Sequence, residues 1–394
     1  MFVWLDPTQQ RYLDRMVVVA RESVLPQATD CDRSACFPTE SFAAIVGANL
    51  HAPAVPKEYG GLGLRHDRHI LTLWMMTREL AKVDLAFTRC WEGHGNAQIL
   101  LTGMGNPQQQ QKWFAGIVQR GEKWAVWSGE PLGKLPDRED EIGTRVQKVN
   151  EGYLINGTKV FATTSVAADW AILLVSLAGA GGARHHCGNP EDVLMLACDL
   201  TNAGVSFDKS WWQPIGMRGS VSYRVQFKDV LIPQENLIGY PGQFLLEEWQ
   251  TRFTPQYGAA FLGAAEGAYE YALDCIAQQK SDPYVQHRIA RADINIKTAY
   301  LWLQHIANLW ETGNESAAKQ LGNYVRYSIE KLAMETVEHC LHLCGARALA
   351  QPSLLERTYR DLSFYTLHDR SDRVLATIGR EILGEKSDRS FFKV

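Results

Sequence analysis

The spacing of hydrophobic residues along this 394-residue chain changes twice, and those two changes limit the folds open to it. Up to about residue 120 the spacing is helical, in YLDRMVVVARESVLP, FPTESFAAIVGANL and ILTLWMMTRELAKVD. Apolar residues three or four apart build one buried helix face. Thr39 stands where a helix cap is expected. Between about 122 and 240 the period falls to two, in YLINGTKVFA, DWAILLVSLA, DVLMLACDL and SYRVQFKDVLIP, with Asn156-Gly157 read as a hairpin turn. From about 245 helical spacing returns, placing Val325, Ile329, Leu332, Val337, Leu341 and Cys344 on one stripe. The expectation is an α+β chain: an N-terminal helical domain over 1–121, a central β-barrel or sandwich over 122–240, and a helical bundle over 241–394. With no internal repeat or Gly/Ser linker between them, the three parts are expected to pack as one body.

Charge and composition remove several function classes. Lys plus Arg is 40 against 44 for Asp plus Glu, so the concentrated positive surface that nucleic acid or an anionic membrane requires is not expected. No apolar run approaches a bilayer span, and MFVWLDPTQQRYLDR has no secretory pattern, so a cytoplasmic location is expected. The eight cysteines show no paired spacing and are read as reduced. His339, Cys340, His342 and Cys344 of HCLHLC fall on different faces of a helix and cannot surround an ion, so no metal is expected. RHHCGNPED, with His185 and His186, reads as a solvated turn.

Four segments carry a more specific signal: AVWSGEP at 125–131, VFATTSVAADW at 160–170, PIGMRGSVSYRVQFKDVLIPQENLIG at 214–239, and LERTYRDLSFYTLHDRSDRVLATIGREIL at 355–383. In order and in content they resemble the acyl-CoA dehydrogenase superfamily across nearly the whole chain. The resemblance implies that superfamily's fold, with a C-terminal four-helix bundle and a flavin site completed by a neighbouring subunit. Its departures are informative. The family's catalytic Glu follows a Tyr-Arg-Asp motif, but here Tyr359-Arg360-Asp361 leads to TLHD, with His368 at the Glu position. Relatives that carry the Glu on the first bundle helix are matched by TRFTPQYGAAFLG, which has no carboxylate; Glu247 and Glu248 are the nearest. The family's Arg-x-x-Phe-Gly segment is replaced by QQKSDPYVQHRIA, and its Gly-rich loop by HLCGARAL, implying a weaker hold on FAD. Lys134 near the coenzyme A position argues against a CoA substrate.

TLHD and GAR together resemble the superfamily's two-component flavin-dependent monooxygenases, the dibenzothiophene monooxygenase-like branch. That resemblance implies reduced flavin (FMNH2 or FADH2) delivered by a separate reductase, and O2 as co-substrate. One oxygen then passes from a flavin C4a-hydroperoxide to a small aromatic or heteroatom-containing substrate. It implies a homotetramer built as a dimer of dimers, with the apolar face of the 322–350 helix taken as the interface. The catalytic residues it implies are His368, oriented by Asp369, with His94 and Thr163. The flavin contacts it implies are Trp127, Ser128, Gly129, Phe161, Thr163 and Ser165, with Gly345, Ala346 and Arg347 from the neighbouring subunit. Arg347, Arg357 and Arg360 are either phosphate ligands or ion pairs. Trp211, Trp212, Trp249, Phe253 and Tyr257 are either cavity wall or core. Two other readings stand beside this one: an acyl-CoA or acyl-carrier dehydrogenase or oxidase with tightly bound FAD, in which Asp369 replaces the Glu, and a non-catalytic scaffold subunit.

Overall fold

The computed structural model describes residues 5–131, 142–177, 190–278, 282–350, 352–368 and 371–385. Lys134, His185, His186 and Asp369 lie outside them. Six helices come first: α1 (Pro7–Val19), α2 (Leu25–Ser34), α3 (Thr39–Gly47), α4 (Ile70–Ala81), α5 (Leu85–Met104) and α6 (Pro107–Arg120). Side-chain caps fix several starts. The Asp6 carboxylate accepts from the Thr8 and Gln9 N–H groups, Asp84 accepts from Phe87 N–H, and Asn106 forms a capping box with Gln109. Thr39 is the first residue of its helix, not the cap; Pro38 precedes it, and the Thr39 hydroxyl turns back to the Phe37 carbonyl. Helix α5 is buried on almost every side, polar Glu92, His94, Asn96 and Gln98 included.

Seven strands follow: β1 (Trp124–Trp127), β2 (Arg145–Val149), β3 (Gly152–Ala162), β4 (Trp170–Leu177), β5 (Val193–Asp199), β6 (Val205–Asp208) and β7 (Tyr223–Pro233). They form one curled sheet in the order β1-β4-β2-β3-β7-β6, with β5 paired to the other edge of β4. β1 and β2 share one edge of β4 in succession, from Trp124 opposite Trp170 to Val146 opposite Leu177. One face encloses Val146, Ile155, Leu173, Val225 and Val230. The other turns Ile172, Leu174 and Met195 into the core shared with the helices. The Asn156-Gly157 pair is not a hairpin turn. The β2–β3 hairpin closes at 150–151, where Val149 pairs with Gly152, and Asn156 and Gly157 lie in a bulge inside β3. Asn156 exchanges two 3.0 Å hydrogen bonds with Asp229, a partner far away in sequence. Gly157 is required there, because its φ is +147° and a Cβ would meet Thr144 Cα at 2.6 Å.

The chain ends in helices α7 (Gln243–Leu246), α8 (Thr254–Ile276), α9 (Pro283–Glu311), α10 (Glu315–Cys344), α11 (Arg347–Ala350), α12 (Leu354–Tyr365) and α13 (Ser371–Ile382). The α10 stripe is used inside the protomer: Val325, Ile329, Val337 and Cys340 are buried in the core shared with α8 and α9. Leu332, Leu341 and Cys344 of the same stripe are only partly buried within the protomer. Among the described residues no helix is long and apolar enough to cross a membrane.

Candidate active site

All three parts of the chain meet around a cavity of about 210 Å³. One wall comes from the end of β3. Phe161 and Thr164 both adopt left-handed backbone (φ +53° and +69°), which ends the strand at Ala162 and turns Thr163 toward the cavity. The indole N–H of Trp127 holds this turn by donating to the Thr163 carbonyl at 2.9 Å. Gly129 backs the strand so closely that a Cβ would meet the Val160 carbonyl at 2.4 Å. Beneath it, the fully buried Lys159 ammonium pairs with Glu130 and donates to the Leu174 carbonyl at 2.6 Å. Burial lowers the Lys159 pKa, and the Glu130 charge opposes that shift.

Strand alternation, which would put Thr163 and Ser165 on one face, has already stopped at this turn. Ser165 points inward and donates to the Val221 carbonyl at 2.5 Å, so it does not line the cavity. In its place the Thr163 hydroxyl lies 3.0 Å from that of Ser222, which lies 2.8 Å from that of Ser220. The turn carrying these serines is itself left-handed at Met217 (φ +59°) and at β-branched Val221 (φ +41°). Asp361 fastens it to α12 by accepting from Met217 N–H at 2.5 Å. Trp212 completes this wall, with the ring of Phe161 edge-on to those of both Trp211 and Trp212.

The facing wall is α12 and the turn after it, with Phe364, Tyr365, Leu367 and His368. His368 is exposed and lines the cavity. Desolvation, then the Arg89 and Arg326 charges, push its pKa down, so the imidazole is neutral near pH 7. Its ring sits edge-on to Tyr257 and Tyr365, at 5.7 and 6.1 Å between centroids.

His94 stands apart from this cavity. It is buried, its Nε2 lies 2.7 Å from the His51 carbonyl, and its Nδ1 accepts from Trp124 N–H at 3.0 Å. With both nitrogens held by backbone, and with burial lowering its pKa to about 3, it is a neutral clamp between α5 and β1 and does not face substrate. Two turns of α5 supply what sequence reading missed. Arg89 lines the cavity, and buried Glu92 accepts the Tyr365 hydroxyl at 2.6 Å. Polar residues recurring along WEGHGNAQ, a helix too apolar elsewhere to be a surface helix, were the available signal.

Desolvation pushes the Glu92 pKa up from 4.5 to about 7, against the opposing pull of Arg89 and Tyr365. A carboxylate whose folded pKa is raised weakens the fold as pH climbs from its unfolded to its folded value. Glu92→Gln should leave stability near pH 4 unchanged and raise it at pH 8 by roughly 2–4 kcal/mol. Denaturant midpoints at the two pH values check this. Asp361, buried and likewise pushed up to about 7, contributes a similar slope that the variant keeps.

The remaining expected contacts lie elsewhere. Trp127, Ser128 and Gly129 support the wall without lining it, and Gly345, Ala346 and Arg347 are exposed beyond α10. Arg357 donates to the Thr29 hydroxyl and the Val83 carbonyl, while Arg360 pairs with Asp32 and Glu356. Both face a separate cavity of about 430 Å³. Glu247 is held by Tyr240, Gln243 and Trp249, and neither it nor Glu248 reaches the 210 Å³ cavity.

Comparison with known proteins agrees with this architecture. Residues 6–121, 139–230 and 256–373 match, in turn, the N-terminal, middle and C-terminal domains of acyl-CoA dehydrogenase. The mitochondrial isovaleryl-CoA dehydrogenase of Oryza sativa subsp. japonica is 22% identical over 97% of this chain and 92% of its own length. The dibenzothiophene monooxygenase of Mycolicibacterium goodii is also 22% identical, over 94% of each chain. The crystal structure of FMN-bound TdsC from Paenibacillus sp. A11-2 superposes with a TM-score of 0.85 at 21% identity, over 97% of this chain and 100% of that one. Three matched domains in order, on a curled sheet set between two helical parts, place this chain in the acyl-CoA dehydrogenase superfamily, the group of flavin oxidoreductases to which it belongs.

Proposed function

We propose that the protein is a two-component monooxygenase that uses reduced flavin, FMN or FAD, to place one oxygen atom on a small, flat substrate. The observation that carries this reading is the cavity wall itself: His368 stands in it, and no carboxylate does among the described residues. An acyl-CoA dehydrogenase needs a carboxylate facing the substrate to take a carbon-bound proton. Glu92 is fully buried behind Tyr365 and does not reach the cavity.

The residues fit a flavin. Phe161 and Trp212 offer flat apolar surface, and the Thr163, Ser222 and Ser220 hydroxyls offer a row of hydrogen-bonding groups beside it. When bound in its reduced form, flavin supplies the electrons that activate O2. The chain's own part is to orient and to exclude water. The Thr163 hydroxyl is poised to hydrogen-bond the ring edge, and neutral His368 can donate from one nitrogen and accept at the other. The exposed Gly345–Arg347 segment, remote from this cavity, suits the role of completing a neighbouring subunit's flavin site, and with it a homotetramer served by a separate reductase.

Reduced flavin should bind at least 10-fold more tightly than oxidised flavin, since the family's dinucleotide-binding Arg and glycines are replaced while the ring pocket persists. Anaerobic titration of FMN and FAD in both redox states measures this. Mixing with 18O2 and indole or dibenzothiophene as probes should then give a product carrying one labelled atom. Equal affinity for the two states, or bleaching of tightly held FAD by butyryl-CoA under argon, would overturn the reading in favour of a dehydrogenase.

A further inference from the structure

Arg89 is the one cation in the described wall of this cavity, and its charge is poorly matched. Its side chain is 13% exposed, and its nearest carboxylate oxygen among the described residues, on Glu92, is 4.0 Å away, beyond hydrogen-bond reach. The guanidinium lies over the Tyr257 and Tyr365 rings, 5.6 and 5.9 Å from their centroids, and its wholly covered Nη1 has no hydrogen-bond partner. Glu92 is committed to the Tyr365 hydroxyl, and its second oxygen, also covered, has no partner either. The charges behind His368 answer one another: Arg326 lies 3.5 Å from Glu330, which also accepts from Ser371. A guanidinium so placed beside an apolar chamber, with no carboxylate of the described residues in hydrogen-bond reach, is costly unless a ligand in the cavity balances its charge.

We propose that the substrate carries a planar carboxylate, or an oxyanion of like shape, which pairs with Arg89 while its flat apolar body lies against the wall where Phe364 and Trp212 meet edge to face. The inference rests on the reading of this cavity as the substrate chamber. Arginine's fork matches a carboxylate with two parallel hydrogen bonds. Glu92 has a part in this scheme. A second negative charge next to the pair favours its protonated form, so binding near neutral pH is accompanied by proton uptake at Glu92, whose pKa already lies at about 7.

Benzoate and its neutral isostere benzamide are the probes, titrated calorimetrically into the full-length protein at pH 7 in buffers of differing ionisation enthalpy. Benzoate should bind at least 10-fold more tightly than benzamide and take up a proton. Arg89→Gln should weaken benzoate by roughly 30-fold or more and leave benzamide unchanged. Arg89→Lys, which keeps the charge but not the fork, should fall between. Glu92→Gln should abolish the proton uptake while retaining the preference for benzoate. Equal binding of the two probes by the unaltered protein, no benzoate binding at all, or undiminished benzoate binding in Arg89→Gln would overturn the proposal. Tighter binding of reduced flavin without a carboxylate preference would sink this inference alone. A carboxylate preference without that redox discrimination would sink the oxygenase reading and leave Arg89 as an anion anchor.

Discussion

His368→Ala is expected to cut oxygenated product by about 10²–10⁴-fold, the usual contribution of a positioned acid–base group, while reduced-flavin binding changes little. Oxygen consumption should continue and appear as hydrogen peroxide, because losing the imidazole uncouples transfer from O2 reduction. The downward shift of its pKa sets the pH dependence. A His neutral in the folded protein brings no inflection near 6.5, so the coupled rate should be level from pH 6 to 8 as far as this residue is concerned. Partial rescue of the Ala variant by added imidazole would mark a chemical role and not a structural one. His368→Glu should not restore transfer, since an ionised carboxylate only accepts hydrogen bonds, whereas neutral imidazole also donates one. Full coupled turnover in His368→Ala would remove His368 from the reaction. It would turn attention to the Thr163, Ser222 and Ser220 hydroxyls on the opposite wall.

The second large effect is on stability. Lys159→Met strands Glu130, whose remaining partners among the described residues are the Thr144 hydroxyl and, at 3.4 Å, the Thr144 N–H. Breaking a buried pair from one side costs about 3–5 kcal/mol, whereas replacing both partners is often neutral. Urea unfolding of Lys159→Met, Glu130→Gln and the double variant should show the double variant more stable than Lys159→Met. A single variant within about 1 kcal/mol of the parent would mean the pair is not buried as described. Because this pair sits directly beneath the turn that presents Phe161 and Thr163, flavin affinity should fall with it.

How much of this was legible in the sequence depends on the range of the interactions involved. The two changes of hydrophobic period located the sheet between the helical parts, and the TLHD motif located His368, because both are local patterns. The bulge at Asn156-Gly157 was misread because the groups that occupy Asn156 belong to Asp229 on β7, beyond the reach of any turn rule. Thr163 and Ser165 were both expected at the flavin, but two left-handed residues end the strand alternation that would put them on one face. His94 and Glu92 exchanged importance for a similar reason. On a helix buried all round, facing direction is set by tertiary neighbours: the His51 carbonyl took one, and Tyr365 took the other. The α10 stripe was legible as a stripe, and its Val325, Ile329, Val337 and Cys340 are buried within the protomer.

Four of the left-handed non-glycine residues, Phe161, Thr164, Met217 and Val221, cluster in the two turns that shape one cavity wall. Each costs of order 1–3 kcal/mol, and Val221, β-branched, is the most unfavourable. Selection for heat resistance in the laboratory would therefore find some of its easiest gains here, Val221→Gly among them. Those gains would be deceptive. A relaxed turn no longer fixes the Ser222 and Ser220 hydroxyls opposite His368, so thermostability screens run without an activity assay would enrich variants that survive heating and have lost their chemistry.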